Sequence, residues 1–170
     1  NTGKTALLKE YTNNKNKLYI ANYEMIKTHF FTSIANIINQ YFEQVDVKTT
    51  FNSFKEVLEF LSKHTIKEKL VIMFDDFQNV LKIDKEALTS LIYIWKKSLS
   101  LKNIQIILCS SSYIDEKSLL SLEKITNNKI EIDYLKFDAI KSFFPKISKL
   151  DQLYVYSLLG TTPTNLKYYN

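Results

Sequence analysis

Three residues near the start of the chain have side chains and a spacing that suit phosphate chemistry. Gly3, Lys4 and Thr5 form the end of the pattern G-x-x-x-x-G-K-[ST], in which backbone amides wrap a phosphate group. The lysine of this pattern neutralises charge between the two outer phosphates, and the threonine hydroxyl binds a magnesium ion. The only two glycines are Gly3 and Gly160, so each is expected where a side chain would not fit. Taken alone, the tripeptide is weak evidence, because it often arises by chance.

A second group of candidate residues follows an apolar run. Residues 69–77 read KLVIMFDDF and place two acids, Asp75 and Asp76, at the end of the run. Such runs are typical of strands buried on both faces of a parallel sheet, and ligands of open α/β sheets bind at the carboxyl ends of strands. We expect Asp75 to hold magnesium through water and Asp76 to orient an attacking water. The alternative is that both acids only cap the strand end and face solvent.

A third group lies at the end of another apolar run. Residues 103–112 read NIQIILCSSS, so three hydroxyls follow the segment that we predict as a second buried strand. A hydroxyl at that edge, such as that of Ser111, can contact a terminal phosphate and respond to its loss. The alternative is a simple polar turn.

Alternating helices and strands are expected to position these residues. Periodicity and capping residues predict helices over residues 5–13, 27–45, 53–64, 86–99, 115–123, 138–143 and 149–159. β-rich or alternating runs predict strands over residues 17–23, 69–77, 103–112 and 129–135. Ser53 and Glu56 form a capping box, and Gly160 with Pro163 just beyond it suits a helix end.

This order of elements predicts one α/β domain over residues 1–170, with a parallel sheet between layers of helices and right-handed crossovers. Its last ~20 residues are expected to begin a helical extension. No linker, repeat or low-complexity tract separates a second domain.

Composition narrows the classes of partner. The net charge is +5, and lysines supply all 23 basic residues. Direct binding to nucleic acid is not expected, because the lysines are spread along the chain and base readers rely on arginine. No apolar run approaches the ~20 residues of a membrane-spanning helix. The single cysteine, Cys109, excludes an internal disulfide framework, so we expect a reducing compartment, the cytoplasm.

Four segments resemble, in order and spacing, the archaeal-type ATPase family of AAA-related, STAND-like P-loop proteins. They read NTGKTALLKEY, LVIMFDDFQNVL, IQIILCSSS and LLGTTPTNL and cover nearly the whole chain. The most specific part is DDFQ, where the family usually has Asp-Glu-Phe-Gln. The resemblance implies a P-loop sheet flanked by helices, binding of ATP and Mg²⁺, and slow hydrolysis that drives conformational change in a larger regulatory protein.

The resemblance also assigns roles by position. It implies that the nucleotide is contacted by Gly3, Lys4, Thr5, Ala6 and Ser111, that Mg²⁺ is held by Thr5 and Asp75, and that Lys4 and Asp76 act in catalysis. Gln78 matches the glutamine that follows the aromatic residue of the family motif. We expect the protein partners to be other protein domains, and we do not expect the chain to bind a membrane.

Departures from the family pattern limit the expected activity. Asp76 is one methylene shorter than the usual glutamate, Ser110 stands where the family has glycine, and the chain has no arginine. The chain also begins inside the phosphate-loop pattern, so we expect the first strand to be missing and ATP binding by this segment to be weak. The alternative function is a nucleotide-dependent switch or scaffold without significant hydrolysis.

Overall fold

The computed structural model describes residues 3–11, 16–21, 26–42, 49–111 and 114–168. The helices in these ranges are α1 Lys4–Tyr11, α2 Lys27–Tyr41, α3 Phe54–Lys63, α4 Phe77–Ile83, α5 Ala87–Lys97, α6 Glu116–Glu123, α7 Ile140–Phe143, α8 Lys149–Leu159 and α9 Pro163–Tyr168. The strands are β1 Lys17–Ala21, β2 Leu70–Asp75 and β3 Ile104–Leu108. The chain divides into two compact units, one of residues 8–128 and one of residues 1–7 with 129–170. The single domain predicted for residues 1–170 stays a prediction.

The larger unit, residues 8–128, contains a parallel sheet of three strands in the order β1-β2-β3. Ala21 pairs with Asp75, and Phe74 pairs with Leu108, so the carboxyl ends of all three strands meet at one edge. All six residues of β2 are buried, as its continuous apolar run predicts. The predicted α/β class, a parallel sheet flanked by helices, is therefore confirmed. That the sheet lacks a first strand stays a prediction.

The two faces of the sheet bury different clusters. Alternate residues of β2, namely Leu70, Ile72 and Phe74, belong to a large cluster that includes side chains of α2, α3 and α5. Val71 and Met73 point to the other face, where they form a second cluster with Leu8 of α1. Asp75 follows the same alternation, so its side chain shares the face of Met73.

The start of α3 is fixed by side chains from two parts of the chain. The Ser53 Oγ accepts a hydrogen bond from the Glu56 N–H at 3.2 Å, as the predicted capping box requires. The Glu56 Oε2 accepts from the Asn52 N–H at 2.7 Å, one residue earlier than the box predicts. Asp84, which follows α4, accepts from the Phe54 N–H at 2.8 Å. The first turn of α3 is thus tied to the turn before α5.

The smaller unit contains α7, α8 and α9. Ile140 and Leu166 are fully buried in it, and the rings of Phe137 and Tyr156 meet edge to face at 5.5 Å. Gly160 ends α8 with φ +71°, a conformation that favours glycine, as predicted for this position.

The prediction of a strand over residues 129–135 is wrong, since these residues form no strand. Ile130 and Tyr134 are 83% and 63% exposed, so the apolar residues of the alternating pattern are not buried. A pleated, alternating pattern stabilises a strand only through packing with neighbours. Leu135 instead donates its N–H to the Thr161 carbonyl at 3.1 Å.

Helix α4 was not predicted, because it starts directly after β2 without a glycine or proline between them. Among the described residues, several predicted elements are shorter: the strands predicted over 69–77 and 103–112 span Leu70–Asp75 and Ile104–Leu108, and the helices predicted over 53–64 and 86–99 span Phe54–Lys63 and Ala87–Lys97. The predicted ends at residues 12–13, 22–23, 43–45 and 112 lie outside the described residues.

Candidate functional site

Asp75 is the last residue of the central strand and is almost fully buried, at 4% exposure. Its Oδ2 accepts a hydrogen bond from the Tyr19 hydroxyl of β1 at 2.8 Å. Its Oδ1 accepts from the backbone N–H of Asp76 at 3.0 Å. Asp75 is therefore a buried carboxylate with two hydrogen-bond donors, and it does not simply cap the strand and face solvent.

Asp76 turns the chain from β2 into α4. Its φ of 49° and ψ of 48° lie in the left-handed region, which aspartate enters more readily than most residues. The turn is fixed to β3, because the Phe77 N–H donates to the Cys109 carbonyl at 2.8 Å and the Cys109 N–H donates to the Phe74 carbonyl at 2.9 Å. The residues that follow β3 are therefore held beside Asp76.

Four polar side chains meet at the turn between β2 and α4. The Gln78 Nε2 donates to the Asp76 Oδ1 at 3.0 Å and to the Ser111 Oγ at 3.1 Å. The Ser111 hydroxyl also donates to the Asp76 Oδ1. The Ser110 hydroxyl donates to the Gln78 Oε1 at 2.7 Å. The second acid, the motif glutamine and the serines after β3 thus form one hydrogen-bonded network, which we call the Asp76 network.

The Gly-Lys-Thr segment leads directly into helix α1. Gly3 has φ +90°, where a side chain would be strained, and its carbonyl accepts from the Leu7 N–H at 3.0 Å. Helix α1 begins at Lys4. Thr5 and Ala6 are exposed on the first turn of α1.

The Gly-Lys-Thr segment and the two acids belong to different compact units. Residues 3–6 belong to the smaller unit, whereas Asp75, Asp76 and Ser111 belong to the larger one. Their convergence on one nucleotide stays a prediction.

The second half of α1 belongs to the larger unit and is anchored there. Leu8 is buried against Val71 and Met73, on the sheet face from which the Asp75 side chain projects. The Lys17 Nζ of β1 donates to the Tyr11 carbonyl at 2.6 Å and lies 3.5 Å from the centre of the Tyr11 ring. A cation at a helix C-terminus satisfies a carbonyl that has no partner within the helix.

Sequence reasoning missed two side chains at this edge of the sheet. Tyr19 lies 56 residues from the acid that it contacts, and no local pattern marks it. Ser110 was noted only as a departure from glycine, whereas its hydroxyl contacts Gln78. The pairing of alternate residues on adjacent strands could have pointed to Tyr19, because Ala21 pairs with Asp75 and Tyr19 shares the same face.

The described residues contain no group of three or more histidine, cysteine, aspartate or glutamate side chains that could hold a metal ion. None of the helices in the described ranges has both the length and the hydropathy of a membrane-spanning segment.

Comparison with known protein families gives a match that spans nearly the whole chain. Residues 1–169 match the family model described as an ATPase domain predominantly from Archaea. A search of curated proteins finds no match.

Proposed function

We propose that this chain, which belongs to the family of ATPase domains found predominantly in Archaea, binds ATP with Mg²⁺ and hydrolyses it. Family membership points to a nucleotide-binding ATPase. The observation that carries the finer proposal is the buried Asp75 at the carboxyl end of the central strand, followed by an Asp76 whose side chain is fixed by Gln78 and Ser111. We further propose that residues 1–170 act as one P-loop core within a larger regulatory protein.

In this proposal the phosphates are bound by the start of α1. The positive φ of Gly3 supports a loop whose backbone amides face an anion, and Lys4 supplies charge between the outer phosphates. Thr5 and Ala6 contribute a hydroxyl and a backbone amide on the exposed first turn.

The donor set suits magnesium, which prefers oxygen ligands. Asp75 offers a carboxylate that is kept in one orientation by the Tyr19 hydroxyl and the Asp76 N–H, and Thr5 offers a hydroxyl. When bound, the ion would neutralise charge that develops on the phosphates during transfer.

Asp76 would orient the attacking water and accept its proton. The Gln78 amide and the Ser111 hydroxyl both donate to Oδ1 of this carboxylate, and we assign Oδ2 to the water. Ser111 would contact the terminal phosphate and pass its loss to the Asp76 network. Since the chain has no arginine, a transition-state arginine would have to come from another protein domain.

Single-turnover hydrolysis by the full-length protein tests the proposal. We expect Lys4→Ala to abolish ATP binding, and Asp76→Asn to retain binding but lower hydrolysis at least about 10²-fold. Asparagine is the matched change because it also tolerates the left-handed backbone of Asp76. Lys85→Ala, at an exposed lysine beyond α4, should alter neither property.

The rival function, a switch without hydrolysis, makes a different prediction for the same proteins. It would be supported if the wild type bound ATP but neither it nor Asp76→Glu hydrolysed the nucleotide. Measurable wild-type hydrolysis that increases in Asp76→Glu would support the enzyme, since glutamate carries the carboxylate about 1 Å further.

A further inference from the structure

Gln78 contacts every other member of the Asp76 network. Its side-chain amide donates to the Asp76 Oδ1 and the Ser111 Oγ, while its carbonyl oxygen accepts from Ser110. It is the second residue of α4, and the first, Phe77, is fully buried and donates its N–H to the carbonyl of Cys109, just after β3. The glutamine therefore projects from a fixed backbone.

The direction of the Gln78 amide follows from the chemistry of its neighbours. An ionised aspartate only accepts hydrogen bonds, so the Nε2 end of the amide must face Asp76. The Oε1 end then faces Ser110, whose hydroxyl can donate to it. The reverse orientation would place two oxygens without a proton against each other, at the 3.0 Å that now separates Nε2 from Oδ1.

We propose that Gln78 is a positioning residue that fixes the Asp76 carboxylate for hydrolysis, and that Ser110 fixes the direction of the Gln78 amide. The inference rests on the proposed function, in which Asp76 orients water. Fixing Oδ1 with two donors holds Oδ2 in one place, which is what a water-orienting carboxylate needs, because a displacement of about 1 Å costs roughly 10² in rate.

The test is steady-state ATP hydrolysis by the full-length protein and its variants. Gln78→Leu removes both ends of the amide and is expected to lower kcat about 10²-fold with KM for ATP changed less than about threefold. Gln78→Glu keeps the size of the side chain but places an acceptor against Asp76, so it should lose at least as much. Ser110→Ala is expected to lower kcat about tenfold, and Ser110→Thr, which keeps the hydroxyl, should restore most of the rate.

The double variant decides whether Ser110 acts through Gln78. In the Gln78→Leu background, Ser110→Ala should cause no further loss, because the group that it orients is gone. Ser100→Ala, at an exposed serine after α5, is the matched control and should leave kcat unchanged. A merely structural role would instead lower stability, with additive effects and no rescue by threonine.

The outcomes separate the two proposals. A wild type that hydrolyses no ATP overturns both the proposed hydrolysis and the positioning role. A wild type that hydrolyses ATP, with unchanged kcat in Gln78→Leu, Gln78→Glu and Ser110→Ala, overturns the positioning role alone. Additive losses in the double variant overturn the role of Ser110 while they leave that of Gln78.

Discussion

At the scale of single residues, the hydroxyl of Tyr19 stabilises the buried Asp75 carboxylate. Tyr19→Phe removes this donor but keeps the ring, over which the Lys9 Nζ lies at 5.9 Å. We expect the free energy of unfolding to fall by about 1.5–3 kcal/mol, since a hydrogen bond to a charged group contributes about that much. Urea denaturation at neutral pH measures it. Tyr93→Phe makes the same change on an exposed side chain of α5 and should have an effect within about 0.5 kcal/mol.

The sequence predicted features of the backbone that depend on adjacent residues, and it missed features that depend on residues far away in the chain. The positive φ of Gly3 and the capping of α3 by Ser53 follow from a few adjacent residues, and both are present. The left-handed Asp76 could not be predicted, because a non-glycine residue enters that region only when its surroundings fix it. Its surroundings include Cys109 and Ser111, more than thirty positions along the chain.

At the scale of elements, Asp84 joins two helices. Its Oδ2 accepts from the Phe54 N–H at the start of α3, and its Oδ1 accepts from the Glu86 N–H just before α5. Asp84→Ala would leave the buried Phe54 N–H without this acceptor, so we expect a loss of about 1–3 kcal/mol in thermal or urea unfolding. Lys85→Ala, at the exposed neighbouring position, is the control. A change below about 0.5 kcal/mol in Asp84→Ala would show that water replaces the carboxylate.

The start of α6 should respond to acid. Hydrogen bonds from the Ser118 side chain and backbone lower the pKa of Asp115, which caps this helix, below its usual value of 3.8. A lowered pKa means that the cap stabilises the helix above 3.8 and that this stabilisation is lost as the pH falls through the lower value. An NMR titration should therefore show the Ser118 amide resonance moving in this acid range, together with fraying of α6. Asp115→Asn keeps an acceptor and should remove the pH dependence; an unchanged titration would contradict the assignment.

Helices and strands were predicted correctly where the apolar residues of the sequence pattern are buried in the structure. Strand β2 is apolar at every position before its acid and is buried throughout. Residues 129–135 show an equally regular alternation, yet Ile130 and Tyr134 remain exposed. An alternating pattern indicates which side chains could share one buried face of a strand. The strand forms only where a neighbouring strand is available to pair and pack with it.

At the scale of the whole molecule, the two faces of the sheet are anchored differently. One face belongs to a cluster that draws on α2, α3 and α5, and includes the mutually packed rings of Phe54, Phe74 and Phe77. The face that bears Asp75 buries Leu8 of α1. All eight residues of α1 are described, and Leu8 alone among them is buried. Within the larger unit, α1 is anchored by Leu8, by Lys9 over the Tyr19 ring and by Lys17 at its end.

This asymmetry predicts that α1 opens without unfolding the sheet. Hydrogen exchange of residues 4–11 should occur at a small fraction of the global free energy of unfolding, while residues 70–75 exchange only with global unfolding. Leu8→Ala should speed exchange in residues 4–11 about tenfold or more and change residues 70–75 less. Leu7→Ala, at the adjacent leucine that is 59% exposed, is the matched control and should do neither. If ATP and Mg²⁺ bind the start of α1 as proposed, they slow exchange in residues 4–11; equal protection of α1 and β2 without nucleotide would contradict a locally opening helix.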